Sequence, residues 1–445
     1  VFLFKYFLFE FIMFIEKESL KFFHDFSVFL FSKKSYEFAI EFSQHALKVQ
    51  PHFPAAWIYI GIAQECLKLF DKALLSYENA RNLYPQFLSL KSIMLINLEM
   101  YEDAFKTLLE LLSVNKMDAF SWHNVGFCLE QKKQHLEAVQ AYQNAIDLQP
   151  EFLWRSYWNQ ARSLLVSGDW ERGLPRYECR LKQCNTTPLI KSHLETQIWS
   201  GEDITDKTLL VHCDGGFGDS FQFLRYIPYL KKYRCKVLLF LQPELNCLFQ
   251  HLGVPMILDT SIIQEYDAHV FMMSLPYCFK TKISKIPPPV KIECTLSPIK
   301  GRVGIVWRGG AGNLDDKWRS LDFDQLEPLL KIPGLTFVCA QKEMSLEDEK
   351  RLDAYGVQRP VLNSFADTIR VLEECELLIC VDTSVAHLAA SMGIPTWIFI
   401  AYSNDWRWLL DRTDSPWYPS VKLFRQSKLN SWDEPIQEVV SQLSC

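Results

Sequence analysis

Pro51 and Pro85 stand one 34-residue period apart, and Pro150 closes a further copy of the same alternation of large and small residues. A period of this length constrains the fold before any single residue does. One period holds a pair of helices, too little to bury an apolar face alone, so the front of the chain is expected to stack pair upon pair.

The copies can be laid over one another. In PAAWIYIGIAQECLKLFDKALLSYENARNLYP, Trp57, Ile60, Gly61, Ala73, Tyr77, Ala80 and Pro85 occupy the large, apolar, small, small, aromatic, small and breaker positions of a tetratricopeptide repeat. Trp122, Val125, Gly126, Ala138, Tyr142, Ala145 and Pro150 repeat the series in AFSWHNVGFCLEQKKQHLEAVQAYQNAIDLQP. A weaker copy ends at Ala39, Ala46 and Pro51; a copy three residues short places Ala104, Leu108 and Leu111 in its second helix and Lys116 at the proline position. A fifth, ending GDWERGLPRYECRLK, has Gly173 and Tyr177 in register. Small residues at the helix crossings are packing, and the groove of such a stack is expected to take a protein or glycan partner.

Beyond a polar linker at about residues 183–204, the pattern changes to short apolar runs: TLLVHC, KVLLFLQ, AHVFMMSL, RVGIVW, LTFVCAQ, LLICVD and TWIFIA. These read as strands alternating with helices. The prolines of SKIPPPVKIECTLSPIKG, residues 284–301, divide this half into two Rossmann-like lobes. The fold class expected is therefore α plus α/β. Its parts are an N-terminal extension (1–32), a repeat solenoid (33–182), a first lobe (205–298) and a second lobe (300–445).

Composition narrows the function. An apolar share of 49% is that of a globular chain, and a net charge of −6 argues against nucleic acid as a main partner. Thirteen cysteines without a C-x-x-C pair suit the reduced thiols of a cytoplasmic protein, and no structural metal is expected. The opening VFLFKYFLFEFIMFI is interrupted by Lys5 and Glu10, so no transmembrane segment is expected from it. Because the chain begins at Val1, a truncated or mis-assigned start is expected.

Three loops carry candidate chemistry. LLICVDTSVAHLAASMGIP reads as buried strand, turn and helix, with Asp382, Thr383 and Ser384 as capping types and His387 one turn further in. Such a helix start either holds a phosphate or is simply well capped over a packed histidine. LLVHCDGGFGDSFQF brings a strand into Gly215, Gly216, Gly218 and Asp219 without the G-x-G-x-x-G pattern, which disfavours NAD. Asp219 either caps that helix or faces a ligand. RVGIVWRGGAGNLDDKWRSLDFD carries Arg308, Lys317 and Arg319, cations for a diphosphate or for solvent; Asp322 and Asp324 read as cap and first-turn acid rather than a metal pair. Gln341, ending LTFVCAQ, is a candidate for base or ribose recognition. Of Trp406, Trp408 and Trp417, at least two read as packing between lobes, with Arg407 near the cleft mouth.

Together, the repeats followed by GGFGDSFQF, VGIVWRGG, CVDTSVAHLAASMGIP and NDWRWLLDRTDSPWYPSVKLFRQ resemble bacterial repeat-containing glycosyltransferases, and the catalytic half is similar to the heptosyltransferases. The resemblance runs from about residue 35 onward. It implies a GT-B pair of lobes and an inverting, metal-independent transfer from a nucleotide sugar, which is substrate rather than cofactor. It further implies Asp219 as general base, Thr383, Ser384 and His387 on the diphosphate, Asp382 shaping the turn, Gly216 and Gly218 admitting the ligand, and Lys317 or Arg319 meeting phosphate. Cys213 and Asp214 depart from the family pattern, so donor preference does not carry over. The alternative reading is an inactive repeat scaffold with a vestigial nucleotide-binding region.

Overall fold

The computed structural model describes residues 23, 26, 27, 29–31, 33–81, 87–97, 99–151, 154–182, 197–258, 266–310 and 316–444. The apolar opening, Pro85 and most of the expected linker lie outside them. The chain forms two compact units, Val1–Gln160 and Ala161–Cys445.

The first unit is helical: α1 (Tyr36–Val49), α2 (Pro54–Cys66), α3 (Phe70–Arg81), α4 (Phe87–Asn97), α5 (Tyr101–Val114), α6 (Ala119–Gln131) and α7 (His135–Leu148). Helix α8 (Trp154–Val166) crosses the unit boundary and α9 (Trp170–Tyr177) follows it. The small residues of the period are fully buried at the crossings: Ala73, Ala80, Ala104, Ala138 and Ala145 are 0% exposed. One backbone device recurs at the turn inside every copy. Lys34, Lys68, Glu99, Lys133 and Gly168 all adopt positive φ, and each following amide bonds the carbonyl five residues back. This is the left-handed helix stop that satisfies orphan carbonyls. The short interval from Lys68 to Glu99 carries the three-residue deletion.

Gly126 shows why the period needs a small residue there. A Cβ on it would lie 2.7 Å from Tyr142 Cδ1, and that ring is buried with its hydroxyl donating to Glu130 Oε2 at 2.9 Å. Gly61 faces Tyr77 in the same way. Gly126→Ala is expected to overpack this crossing and cost about 1–3 kcal/mol. A lowered urea midpoint for the first unit's transition checks it; an unchanged midpoint refutes the register.

The second unit holds two wholly parallel sheets. The first has strands β1 (Gln197–Ile198), β2 (Thr208–His212), β3 (Lys236–Phe240) and β4 (Ala268–Phe271) in the order β1-β4-β2-β3, with α10 (Phe217–Phe223) after β2. The second has β5 (Ile299–Val306), β6 (Thr336–Cys339), β7 (Cys375–Val381), β8 (Thr396–Ile400) and β9 (Val421–Arg425) in the order β6-β5-β7-β8-β9. Between them run α11 (Phe323–Leu330), α12 (Leu346–Ala354), α13 (Phe365–Glu373) and α14 (Ser384–Met392), and α15 (Asp433–Leu443) closes the chain. Strands buried on both faces, such as the apolar run from Leu377 to Val381, are what a helix-covered parallel sheet demands. In the second sheet the strand order reverses once, between β5 and β7, and in the first β4 is inserted between β1 and β2. At such a switch point the loops diverge and leave a crevice at the carboxyl ends.

Two expected boundaries shift. Residues 161–182 cluster with the second unit, although Gly173 and Tyr177 keep the repeat register, because α9 packs its aromatics onto Trp406 and Trp417. The first sheet begins at Gln197, inside the expected linker, where Trp199 is buried against Tyr233 and Phe279. Asp322 caps α11, its amide donating to Gln325 Oε1, while Asp324 pairs with Arg351, so these two acids do serve as cap and first-turn acid. Among the described residues no helix is long and apolar enough to cross a membrane.

Candidate active site

The carboxyl ends of both sheets open onto one cleft of about 580 Å³. Its wall comes from carboxyl-end loops: Gly216 to Asp219 after β2, Met273 after β4, Arg308 to Gly310 after β5, and Gln341 to Glu343 after β6. Asp382 to Val385 and His387 after β7, with Asp405 and Arg407 after β8, complete it. Ten of the eleven residues singled out by sequence therefore meet in this space: Asp219, Gly216, Gly218, Arg308, Arg319, Gln341, Asp382, Thr383, Ser384 and His387. The eleventh, Lys317, lies in the helical turn Asp316–Arg319, with its side chain outside the described residues.

The two helix starts lie against each other. A Cβ on Gly218 would come within 2.9 Å of His387 Cδ2 and 3.5 Å of Ser384 Cα, so glycine is what lets α10 approach α14. Thr383 is the N-cap of α14 with extended backbone, yet its side chain makes no capping bond, and its hydroxyl is buried without a hydrogen-bond partner. The positive end of this nine-residue helix therefore carries an uncommitted hydroxyl.

Asp219 caps its helix and also lines the cleft. Its Oδ2 accepts the Gly216 amide at 2.7 Å as a first-turn capping acid. Its Oδ1 accepts Arg407 Nη2 at 2.5 Å. Arg407 also donates through Nη1 to Asp405 Oδ1 at 2.8 Å. Burial pushes the Asp405 carboxyl up, but the adjoining Arg407 guanidinium and amide outweigh it and hold the group below its ordinary range. Asp382 moves the other way: burial, then the neighbouring Asp405 charge, raise it against Arg319 and Arg407.

His387 is packed as well as cleft-lining. It stacks on Trp408 at 5.4 Å and its Nδ1 meets Tyr418 Oη at 3.1 Å. Burial, with Arg407 and Arg225 nearby, pushes its pKa down to about 3, so the ring is neutral. Its Nε2 lies 3.9 Å from Asp382 Oδ1.

Gln341 lines the cleft and is also bonded to backbone. It is 7% exposed, its Oε1 accepts the amides of Trp307 and Arg308, and its Nε2 donates to the Glu343 carbonyl. It clips the ends of β5 and β6 together, using one of its two amide N–H groups on the Glu343 carbonyl. Arg308 pairs with Asp348, and Arg319 with Asp316. Trp406, Trp408 and Trp417 are all buried packing. Asp405, Lys342, Glu343 and Met273 were not singled out by sequence, and Arg407 was placed only near the mouth. Their signal is position alone, each following the carboxyl end of a strand.

Three buried histidines make stability depend on pH. His387 and His212 are pushed down to about 3 and His123 to about 4, in each case by burial first. His212 pairs with His269 at 3.0 Å in the first sheet. A folded-state pKa below the unfolded 6.5 means full stabilisation above pH 6.5, lost as pH falls towards 3. By pH 5 each costs about 2 kcal/mol. Denaturant unfolding at pH 7 and pH 5 checks this, and His212→Phe should lose less between the two. An equal loss in that variant refutes it.

With this geometry in hand, comparisons add the following. The tetratricopeptide repeat model matches residues 121–152. That segment is a tetratricopeptide repeat. Protein FlbA of Caulobacter vibrioides is 22% identical over 339 residues, covering 66% of this chain, which spans 56% of that relative's length. Among solved structures, MamA of Desulfovibrio magneticus RS-1 is 18% identical with a TM-score of 0.34, covering 38% of this chain and 97% of its own. YrrB, described as a TPR protein with an unusual peptide-binding site, is 17% identical with a TM-score of 0.32, covering 37% and 86%. PilF of Pseudomonas aeruginosa is 15% identical with a TM-score of 0.35, covering 38% and 77%.

Proposed function

We propose that the second unit is a GT-B glycosyltransferase region that moves a sugar from a nucleotide-sugar donor, with inversion, to a protein or glycan acceptor recruited by the helical repeats. One observation carries this reading. The start of α14, whose Thr383 side chain makes no capping bond, and the carboxylate of Asp219 line the same cleft at the carboxyl ends of the two sheets.

The chemistry asks for those two parts. The acceptor hydroxyl oxygen attacks the anomeric carbon, its proton passes to Asp219, and the bond from that carbon to the diphosphate oxygen breaks with its electron pair on the leaving nucleoside diphosphate. Asp219 retains lone pairs beyond the two in use, so it can accept that proton. The developing charge on the diphosphate meets the amides of α14, with Arg319 and Lys342 also lining the cleft.

A scaffold without turnover is the second reading, favoured by the saturation of Arg407 by Asp219 and Asp405. Incubation of the full chain with UDP-, ADP- and GDP-sugars separates the two. Release of nucleoside diphosphate that depends on an added acceptor supports transfer; release with none of them supports the scaffold.

A further inference from the structure

We propose that Arg407 is a positioning residue that aims the Asp219 carboxylate, so that the base is set only when both lobes contribute. The inference rests on the glycosyl-transfer reading. Asp219 belongs to α10 beside the first sheet, and Arg407 follows β8 of the second. The carboxylate is held at two points: Gly216 of its own helix fixes Oδ2, and Arg407 from the opposite lobe fixes Oδ1. Without the second hold, the carboxylate can turn about its side-chain bonds while keeping its cap.

Arg407 is itself unable to wander. It is 7% exposed, and its guanidinium lies over the rings of Phe223 at 5.2 Å and Trp406 at 5.1 Å. Asp405 Oδ1 takes both its Nη1 and its amide. Trp406 in turn is gripped by Trp170 and Tyr177 of α9. A planar fork can bridge two aspartates in this way, whereas lysine is a point charge that satisfies one.

The test compares wild type, R407K, R407Q, D219N and the D219N/R407Q double variant, with melting temperature and with kcat and KM from nucleoside diphosphate release. A positioning role predicts that R407Q lowers kcat about 100-fold with donor KM nearly unchanged. R407K should recover part of that loss, and adding R407Q to D219N should cost little more. Independent, multiplying effects of D219N and R407Q overturn it. So does an R407Q loss that follows the unfolded fraction with R407K no better. Wild type inactive with every donor removes the glycosyl-transfer reading itself, and this role with it.

Discussion

Asp219→Asn is expected to cut the rate of nucleoside diphosphate release by about a hundredfold to ten-thousandfold while leaving the chain folded. The asparagine oxygen can still accept the Gly216 amide, so the start of α10 keeps its cap. Arg407 keeps Asp405, so no buried guanidinium is left unpaired. What disappears is the group able to take a proton from the acceptor hydroxyl. A variant with wild-type circular dichroism, a melting temperature within a few degrees and near-normal rates would remove Asp219 from the chemistry.

Trp406→Ala carries the largest expected effect on stability. Its ring is 2% exposed and touches four others: Trp170 and Tyr177 of α9, Phe223 of α10, and Trp417 of the second lobe. Truncation opens one cavity under all three elements, and aromatic deletions of this kind cost about 3–5 kcal/mol. The same change unseats Arg407, which lies over that ring. Stability and turnover should therefore fall together, the first seen by urea unfolding of the second unit. A loss below about 1 kcal/mol would contradict the packing described.

Much of this was legible in the chain because burial leaves a periodic trace. Seven apolar runs fall on β2 to β8, and Ala73, Ala138 and Gly126 fall on helix crossings where volume is at a premium. β1 escaped notice because two residues, Gln197 and Ile198, cannot show a pattern. β9 lay unread within the aromatic tail PWYPSVKLFRQ. The α9 aromatics kept the repeat register while packing elsewhere, since register records the local helix pair and not the surface that it meets. The hold on Asp219 comes from a residue 188 positions away, a distance over which no sequence spacing speaks. The backbone bonds of Gln341 were not legible because a cleft-lining amide and a backbone clip at a strand end use the same residue type.

Calorimetric titration of UDP, ADP and GDP into the full chain, beside Thr383→Val, tests the central claim most directly. The diphosphate site at the start of α14 predicts saturable binding of at least one nucleotide, weakened about tenfold when the Thr383 hydroxyl is replaced by a methyl of the same shape. Absence of binding by all three, or equal affinity in the variant, would contradict it.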